Sequence, residues 1–253
     1  MTGTGSRYRS YSLWLDTLPE ELAPRPRLQG DLDADVAIVG AGYTGLWTAY
    51  YLLKDDPTLR VVLLEKEITG FGASGRNGGW CSALFAAPLS KIARRYGRPA
   101  ALAQQHAMFD TVDEVGRVLE EERIDAAFHK GGTLTLVTSP TQLERVRGML
   151  ADDRRWGFDE EHYRWIDAAQ LEEKIRIPGS LGARFTPHCA RLDPARLVRG
   201  LARKVEELGG VIYEQTPVTQ IGPRTATTAT GTVRAGVVVR ATEGYTATLK
   251  GMR

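Results

Sequence analysis

The chain has 253 residues, of which 42% are hydrophobic and 25% charged, and its formal net charge is +2 at pH 7. This length allows one large domain or two modest ones. The balanced, interspersed charges give no case for binding nucleic acid or an anionic membrane surface.

The two cysteines, Cys81 and Cys189, have neither a C-x-x-C spacing nor a disulfide-rich context, so we expect reduced thiols. No apolar stretch approaches the length of a transmembrane helix, and the N-terminus lacks the apolar core of a secretion signal. We therefore expect a cytoplasmic protein without a membrane span.

The first 33 residues precede the pattern of a nucleotide-binding fold. Within them, Ser12–Leu15 predicts a short packed segment, in which we interpret Trp14 as an anchor rather than a substrate contact. Three prolines then predict a stiff linker: Pro19, Pro24 and Pro26.

An apolar run, Val36–Val39, is short enough for a buried parallel strand, and glycines follow it in the spacing G-x-G-x-x-G. The next apolar residues recur at the spacing of one helix face: Leu46, Ala49, Tyr50 and Leu53. A second apolar strand, Val61–Leu64, ends in Glu65, about 20 residues after the last motif glycine. The whole series predicts a βαβ unit that binds a dinucleotide.

Each part of this motif has a mechanical role in binding a dinucleotide. Gly40 allows the tight turn, Gly42 lets the backbone approach a pyrophosphate, and Gly45 permits close packing of helix and strand. The helix N-terminus offers unpaired N–H groups and the positive end of its dipole. Glu65 is placed to accept hydrogen bonds from a ribose, and its charge disfavours a 2′-phosphate.

The stretch Gly70–Gly79 contains five glycines in ten positions and is not expected to form a stable helix. It reads either as a flexible surface loop or as a loop that cradles a ligand. We favour the second reading because Ser74, Arg76 and Asn77 add donors, and because the loop leaves a strand at the carboxyl edge of the sheet.

In the middle of the chain the pattern of apolar residues differs from that of the βαβ unit and predicts an antiparallel sheet with helices. The helices are Ser90–Glu122 (interrupted at Gly97–Pro99), Thr141–Trp156 and Ala168–Lys174 (capped by Asp167), and the strands are Phe128–Val137 and Tyr163–Ile166. We interpret His106, on the face of the first helix, as an interior or boundary histidine rather than a ligand.

The last part returns to a βα rhythm. Asp193 and Pro194 predict the start of a helix, and Gly209–Gly210 its end. A strand follows at Val211–Tyr213, and two strand-like segments flank Gly231. The final apolar strand, in Gly236–Gly244, runs into a small turn that suggests backbone passing close to a ligand.

Together these residues resemble the D-amino-acid-oxidase-like family of FAD-dependent oxidoreductases, in the branch that contains gamma-glutamylputrescine oxidoreductase. The resemblance rests on the Trp14 leader, Val39–Gly45, Glu65–Lys66 and the run Gly70–Gly79, whose Gly-Ala-Ser-Gly-Arg-Asn-Gly-Gly portion is the most specific part. Three later segments also match: Leu192–Pro194, Thr216–Val218 and Ala241–Gly244.

The resemblance implies a fold class and a division of the chain. The fold would be α/β, a glutathione-reductase-type FAD-binding Rossmann-like domain with an inserted, incomplete antiparallel-sheet α+β substrate domain. Residues 1–34 would be a leader, 35–86 and 188–253 the two parts of the FAD-binding domain, and 87–187 the first part of the substrate domain.

The resemblance also implies the site that binds FAD. The motif glycines would hold the pyrophosphate, Glu65 the adenosine ribose, and Ala73–Gly79 would pass beside the pyrophosphate and the ring. Val218 would contact the adenine through its backbone. The full set of implied cofactor-binding residues is Gly40, Gly42, Tyr43, Thr44, Gly45, Glu65, Lys66, Gly72, Ala73, Ser74, Arg76, Asn77, Gly78, Gly79, Val218, Ala241 and Thr242.

The activity implied is oxidation of a C–N bond in a small-molecule amine or amino acid, by hydride transfer to flavin N5. No general base can be named. His129, His162 and His188 are isolated in the sequence and favour structural roles; His188 is the best candidate of the three. Cys81 reads as a small buried residue rather than a reactive thiol, and no metal is expected.

The chain departs from the family at its end, because members usually continue well past the Ala-Thr-x-Gly strand. We expect a missing C-terminal segment or a partner chain, and poor solubility and weak FAD binding without it. The alternatives are a non-catalytic FAD-binding fragment, one half of a split enzyme, or an NAD-dependent dehydrogenase. The last of these leaves Gly70–Gly79 and Ala241–Gly244 unexplained.

Overall fold

The structure, a computed structural model, describes residues 4–249, with eight α-helices and eleven β-strands in that range. The helices are α1 Thr4–Arg9, α2 Leu13–Asp16, α3 Tyr43–Asp55, α4 Leu89–Tyr96, α5 Arg98–Glu121, α6 Pro140–Trp156, α7 Ala168–Glu172 and α8 Pro194–Glu207. The strands are β1 Leu32–Val39, β2 Val61–Leu64, β3 Trp80–Ser82, β4 Thr133–Val137, β5 Arg164–Asp167, β6 Gly182–Thr186, β7 Cys189–Arg191, β8 Val211–Tyr213, β9 Val218–Gly222, β10 Thr225–Thr228 and β11 Thr232–Arg240. Two 3₁₀ turns span Ala73–Gly75 and Glu243–Thr248.

The chain divides into two compact units. The first unit contains residues up to Gly78, Glu122–Ala126 and residues from Asp193 onward; the second contains Gly79–Glu121 and Ala127–Leu192. The units part at Gly78–Gly79, whereas the sequence placed a boundary after residue 86. The assignment of cofactor and substrate domains to these stretches stays a prediction.

The first unit is built on a six-stranded sheet of order β8-β2-β1-β11-β10-β9. Strands β8, β2, β1 and β11 run parallel to one another. Strands β10 and β9 extend the sheet with antiparallel pairing. Because β2 is buried along its whole length, its sequence is a continuous apolar run rather than an alternating one. The predicted α/β fold with a parallel core is confirmed.

Helices α3 and α8 pack against each other in the first unit. The predicted apolar face of α3 is buried. In α8, Leu197, Leu201 and Val205 are buried as well. Asp193 caps α8, its carboxylate accepting from the backbone N–H groups of Ala195 and Arg196, and Pro194 occupies the first turn. The predicted start of this helix is confirmed.

The N-terminal leader is part of the first unit rather than a segment that merely precedes it. Its buried side chains form one cluster with two residues of the unit: Tyr8, Leu15, Leu18 and Leu22 pack with Ile68 and Ala195. Strand β1 also begins at Leu32, four residues earlier than its apolar run suggested, since Leu32 and Ala34 already pair with β11.

Ionic contacts tie the proline-rich stretch, predicted to be a stiff linker, to the first unit. Arg25 Nη1 donates to Glu214 Oε1 at 2.9 Å, and the guanidinium also makes a bidentate pair with Glu206. The fully buried Glu214 carboxylate accepts from the backbone N–H groups of Arg25 and Thr69, each at 2.7 Å. The leader, the residue after β8 and the turn after β2 are therefore held at one point.

The second unit contains an antiparallel sheet of order β4-β6-β5 and a two-stranded ribbon of β3 and β7. The antiparallel sheet with helices is confirmed, as are the helix break at Gly97 and the Asp167 cap. The strand expected from Phe128 begins only at Thr133, and α7 ends at Glu172 rather than Lys174. Strands β3, β6 and β7 were not predicted.

Aromatic and histidine rings pack together in the second unit. His188 stacks on Phe109 with ring centroids 3.8 Å apart, and its Nε2 lies 2.9 Å from His162 Nδ1. His106 is exposed and sets its ring edge against Phe109 and Phe158, which makes it a boundary residue. Burial, with His162 and Lys130 nearby, lowers the pKa of His188 to about 4.

We expect Glu214→Ala to lower the free energy of unfolding by about 3–5 kcal/mol. The change removes the buried partner of Arg25 and the acceptor for two backbone N–H groups. Glu206→Ala is the matched control: it removes the other, partly exposed partner of the same guanidinium and is expected to cost at most about 1 kcal/mol. Denaturant unfolding of both variants measures the difference. Equal losses would contradict the role given to Glu214.

We also expect His188 to make stability fall on acidification. Its pKa is lowered from 6.5 to about 4 in the folded chain, so below about pH 6.5 the unfolded chain binds a proton that the folded chain does not. Above pH 6.5 His188 does not lower the free energy of unfolding. This free energy falls as the pH drops from 6.5 towards 4, and below that His188 causes no further change. Thermal midpoints of wild type and His188→Gln across this range check it; parallel curves would show that His188 does not titrate this way.

Candidate functional site

A cavity of about 610 Å³ lies in the first unit, at the edge where β1, β2 and β11 end. Its lining comes from the turns after these strands, the glycine-rich loop, the start of β9, the leader and the 3₁₀ turn Glu243–Thr248. Eleven of the seventeen predicted cofactor-binding residues line it: Gly40, Gly42, Glu65, Lys66, Gly72, Ala73, Ser74, Arg76, Val218, Ala241 and Thr242.

The turn from β1 into α3 requires glycine where the backbone passes its neighbours closely. Gly40 has φ +106°, and a Cβ added there would meet the carbonyl oxygen of Ala241 at 2.5 Å. A Cβ at Gly45 would meet the carbonyl oxygen of Gly40 at 2.0 Å. The turn therefore brings the N-terminus of α3 directly beside the ends of β1 and β11.

The first turn of α3 already holds two oxygen acceptors. The backbone N–H of Tyr43 donates to Ser74 Oγ at 2.9 Å, and Thr44 Oγ1 donates to Glu243 Oε1 at 2.7 Å. Ser74 thus joins the glycine-rich loop to the helix N-terminus. Both acceptors lie where a helix N-terminus favours negative charge.

Glu65 stands at the carboxyl end of β2, half-buried at the cavity wall. Its Oε2 accepts from the N–H of Ala41 at 2.9 Å and its Oε1 from the N–H of Glu67 at 3.0 Å. Burial raises the pKa of this carboxyl group, while the two backbone donors act in the opposite direction. Each oxygen keeps acceptor capacity that a ligand hydroxyl could use.

The glycine-rich loop carries a cation into the cavity lining. Arg76 Nη2 donates to the Tyr245 hydroxyl at 3.1 Å, and its guanidinium lies 4.8 Å from the Phe71 ring centroid and 5.8 Å from that of Tyr11. Such ring contacts hold a guanidinium without neutralising it. Arg76 is therefore oriented while its charge remains available for a ligand anion.

Six predicted cofactor residues do not line the cavity. The Tyr43 hydroxyl donates to Pro194 O, the Thr44 hydroxyl donates to Glu243, and Gly45 is buried in the first turn of α3. Asn77 bonds the loop backbone through its side chain, with Nδ2 near Ala73 O and Ser74 O. Gly78 and Gly79 follow it at the unit boundary.

The sequence reasoning missed the aromatic part of the lining. Phe71 and Tyr245 stand beside predicted residues, so the motif segments themselves were the available signal. Tyr11 lies in the leader, outside any pattern that points to a ligand. Its place in the lining depends on packing against Phe71, with ring centroids 5.2 Å apart.

The remaining candidates lie in the second unit. His129 forms an isolated bridge with Arg191, while His162 and His188 pair with each other. Burial raises the pKa of Cys81 to about 11, so this thiol stays protonated at neutral pH. Across residues 4–249, no group of three or more His, Cys, Asp and Glu side chains could hold a metal ion.

No helix in the described part of the chain is both long and apolar enough to cross a membrane.

The chain is similar in sequence to known oxidoreductases. Gamma-glutamylputrescine oxidoreductase of Escherichia coli (strain K12) is 30% identical over 226 residues, which cover 88% of this chain and 52% of that protein. The probable oxidoreductase OrdL of Rhizobium meliloti (strain 1021) is 30% identical over 252 residues, 95% of this chain and 56% of that protein. The chain spans about half the length of the curated relatives it matches.

Solved structures show the same likeness. Glycine oxidase from Geobacillus kaustophilus superposes with a TM-score of 0.68 at 25% identity, covering 87% of this chain and 58% of that one. L-proline dehydrogenase from P. horikoshii shares the fold, with a TM-score of 0.68 at 20% identity over 89% of this chain and 56% of that one.

A family model described as FAD dependent oxidoreductase matches residues 35–253, which include every segment of the resemblance except the Trp14 leader. The chain belongs to the D-amino-acid-oxidase-like family of FAD-dependent oxidoreductases.

Proposed function

We propose that the protein oxidises a C–N bond of a small amine or amino acid with FAD, and that the first unit holds this cofactor. One observation carries the proposal: a single cavity gathers the glycine turn, Glu65, the Ser74–Arg76 loop and Ala241–Thr242. Relatives named as an oxidoreductase of gamma-glutamylputrescine and an oxidase of glycine support the substrate class.

The residues present fit a flavin dinucleotide. The cavity volume of about 610 Å³ lies within the range of ligand pockets, and the lining contains Gly42, which is the N-cap of α3, and the Arg76 cation. The backbone at Gly42 borders the cavity without a side chain in the way. Glu65 disfavours a 2′-phosphate at the same wall, which agrees with a ligand that has none.

We assign the roles in binding as follows. The Gly40–Gly45 turn and Arg76 hold the pyrophosphate, and Glu65 accepts hydrogen bonds from the adenosine ribose. Val218 lies against the adenine, and Ala241–Thr242 against the middle of the dinucleotide. Bound FAD would supply the two-electron acceptor for the oxidation.

The protein's own contribution is orientation and exclusion of water. We assign residues 87–187 to the substrate domain, where they would supply part of the substrate pocket, and we assign no catalytic base. The rest of that pocket would come from a further segment or a partner chain, since the chain spans about half of its relatives' length. We place the protein in the cytoplasm.

The alternative is a non-catalytic FAD-binding fragment or one half of a split enzyme. An absorbance spectrum of the purified chain, followed by anaerobic addition of amines and amino acids, separates the two. Flavin absorbance that bleaches with an amine supports the enzyme; flavin absorbance that never bleaches supports the fragment. Absence of flavin after reconstitution with FAD would contradict both.

We expect Glu65→Ala to weaken FAD binding by about 1–3 kcal/mol, because the ribose hydroxyls lose the acceptor at the cavity wall. Fluorescence titration of apoprotein with FAD measures the dissociation constant. Glu21→Gln, which changes an exposed carboxylate outside the cavity, is the control and should leave the constant unchanged. An unaltered constant for Glu65→Ala would remove the ribose role.

We expect Gly42→Val to abolish FAD binding while the fold is largely kept. A Cβ there would lie 2.9 Å from Ser74 Oγ, and the branched side chain would extend into the space assigned to the pyrophosphate. Far-ultraviolet circular dichroism checks the fold, and the flavin content after gel filtration checks binding. A variant that stays yellow at unchanged stoichiometry would refute the assignment.

A further inference from the structure

The leader contacts the glycine-rich loop through its second helix. Trp14 Nε1 of α2 donates to the carbonyl oxygen of Asn77 at 2.8 Å. Ser12 Oγ, at the N-cap of the same helix, donates to the carbonyl oxygen of Gly75 at 3.3 Å. Both bonds join segments that are 63 residues apart in sequence and both reach the loop's backbone.

The leader is itself a fixed support. Leu15 and Leu18 are buried against Ile68, which follows β2. The Arg9 guanidinium donates to four backbone carbonyl groups of the leader: those of Leu15, Asp16, Leu18 and Glu20. Helix α2 has only four residues and would not persist alone, so these contacts fix the position of the indole N–H.

The bonds from the leader add to the contacts that the glycine-rich loop makes to α3 through Ser74 and to Tyr245 through Arg76. The Asn77 side chain bonds the loop's own backbone, with Nδ2 donating to the carbonyl oxygens of Ala73 and Ser74. At Gly78 an added Cβ would meet no described atom within 4 Å, so little side-chain packing restrains that end. Glycine-rich backbone loses the most conformational entropy when it is fixed.

We propose that Trp14 is a positioning residue of the cofactor site. Its indole N–H holds the Asn77 carbonyl group, and thereby keeps the loop in the conformation that places Ser74 and Arg76 in the cavity lining. The identity of the cofactor in this proposal rests on the proposed function. The support of the loop by Trp14 does not.

The test is Trp14→Phe in the full chain, which keeps a ring but removes the donor. We expect the FAD dissociation constant to rise about 3- to 20-fold, the effect of one lost hydrogen bond to a partly buried carbonyl. The absorption band shape of the bound flavin should change as well. Without FAD, backbone amides of residues 73–78 should exchange hydrogen faster than in wild type.

Two controls separate positioning from general stability. Leu13→Ala changes a residue that is 67% exposed on the same helix and should alter neither measurement. Val205→Ala, buried in α8, should lower the unfolding midpoint without changing the dissociation constant or loop exchange.

The proposal is overturned if Trp14→Phe leaves loop exchange at the wild-type rate. It is equally overturned if Val205→Ala raises the FAD dissociation constant as much as Trp14→Phe does, at the same loss of stability. If wild type binds no FAD, the proposed function fails, and hydrogen exchange alone still decides the role of Trp14.

Discussion

The close backbone crossing at the end of β1 is the constraint on which the site depends. The end of β1, the N-terminus of α3 and the end of β11 meet at one place. Their backbones approach so closely that no side chain fits at Gly40 or Gly45. Hydrogen bonds from Gly40 N to Leu64 O and from Ala241 N to Val39 O, both 2.9 Å, align the ends of the three strands. Glu65 and Thr242 reach the same cavity because they are the residues that follow these aligned ends.

The parts of the fold that the sequence predicted are those fixed by local rules. The spacing of apolar residues and the capping residues identified β1, α3, β2 and α8, since each of these elements is determined by residues within it or next to it in sequence. Glu65 could be placed because its role depends only on the end of a strand and the preceding turn. Half of the cavity lining followed, since those residues lie in turns at strand ends.

The parts that escaped prediction depend on distant partners. Strands β3 and β7 have three residues each, too few to show a period, and they exist because they pair with each other. Strand β6 gains its place between β4 and β5. The leader's Tyr11 and Trp14 carry no ligand pattern of their own, and only packing onto Phe71 and the loop backbone gives them a place at the site.

The pairing of β1 with β11 also determines when the first unit can form during synthesis. Leu32 pairs with Val233, so the central strand of the sheet waits for about 200 further residues before its second neighbour leaves the ribosome. In that interval β1 keeps an open strand edge, and the segments of the second unit are synthesised between it and β11. The nascent chain is therefore most exposed to misassembly before β11 appears, at the stage when a chaperone that shields strand edges would act.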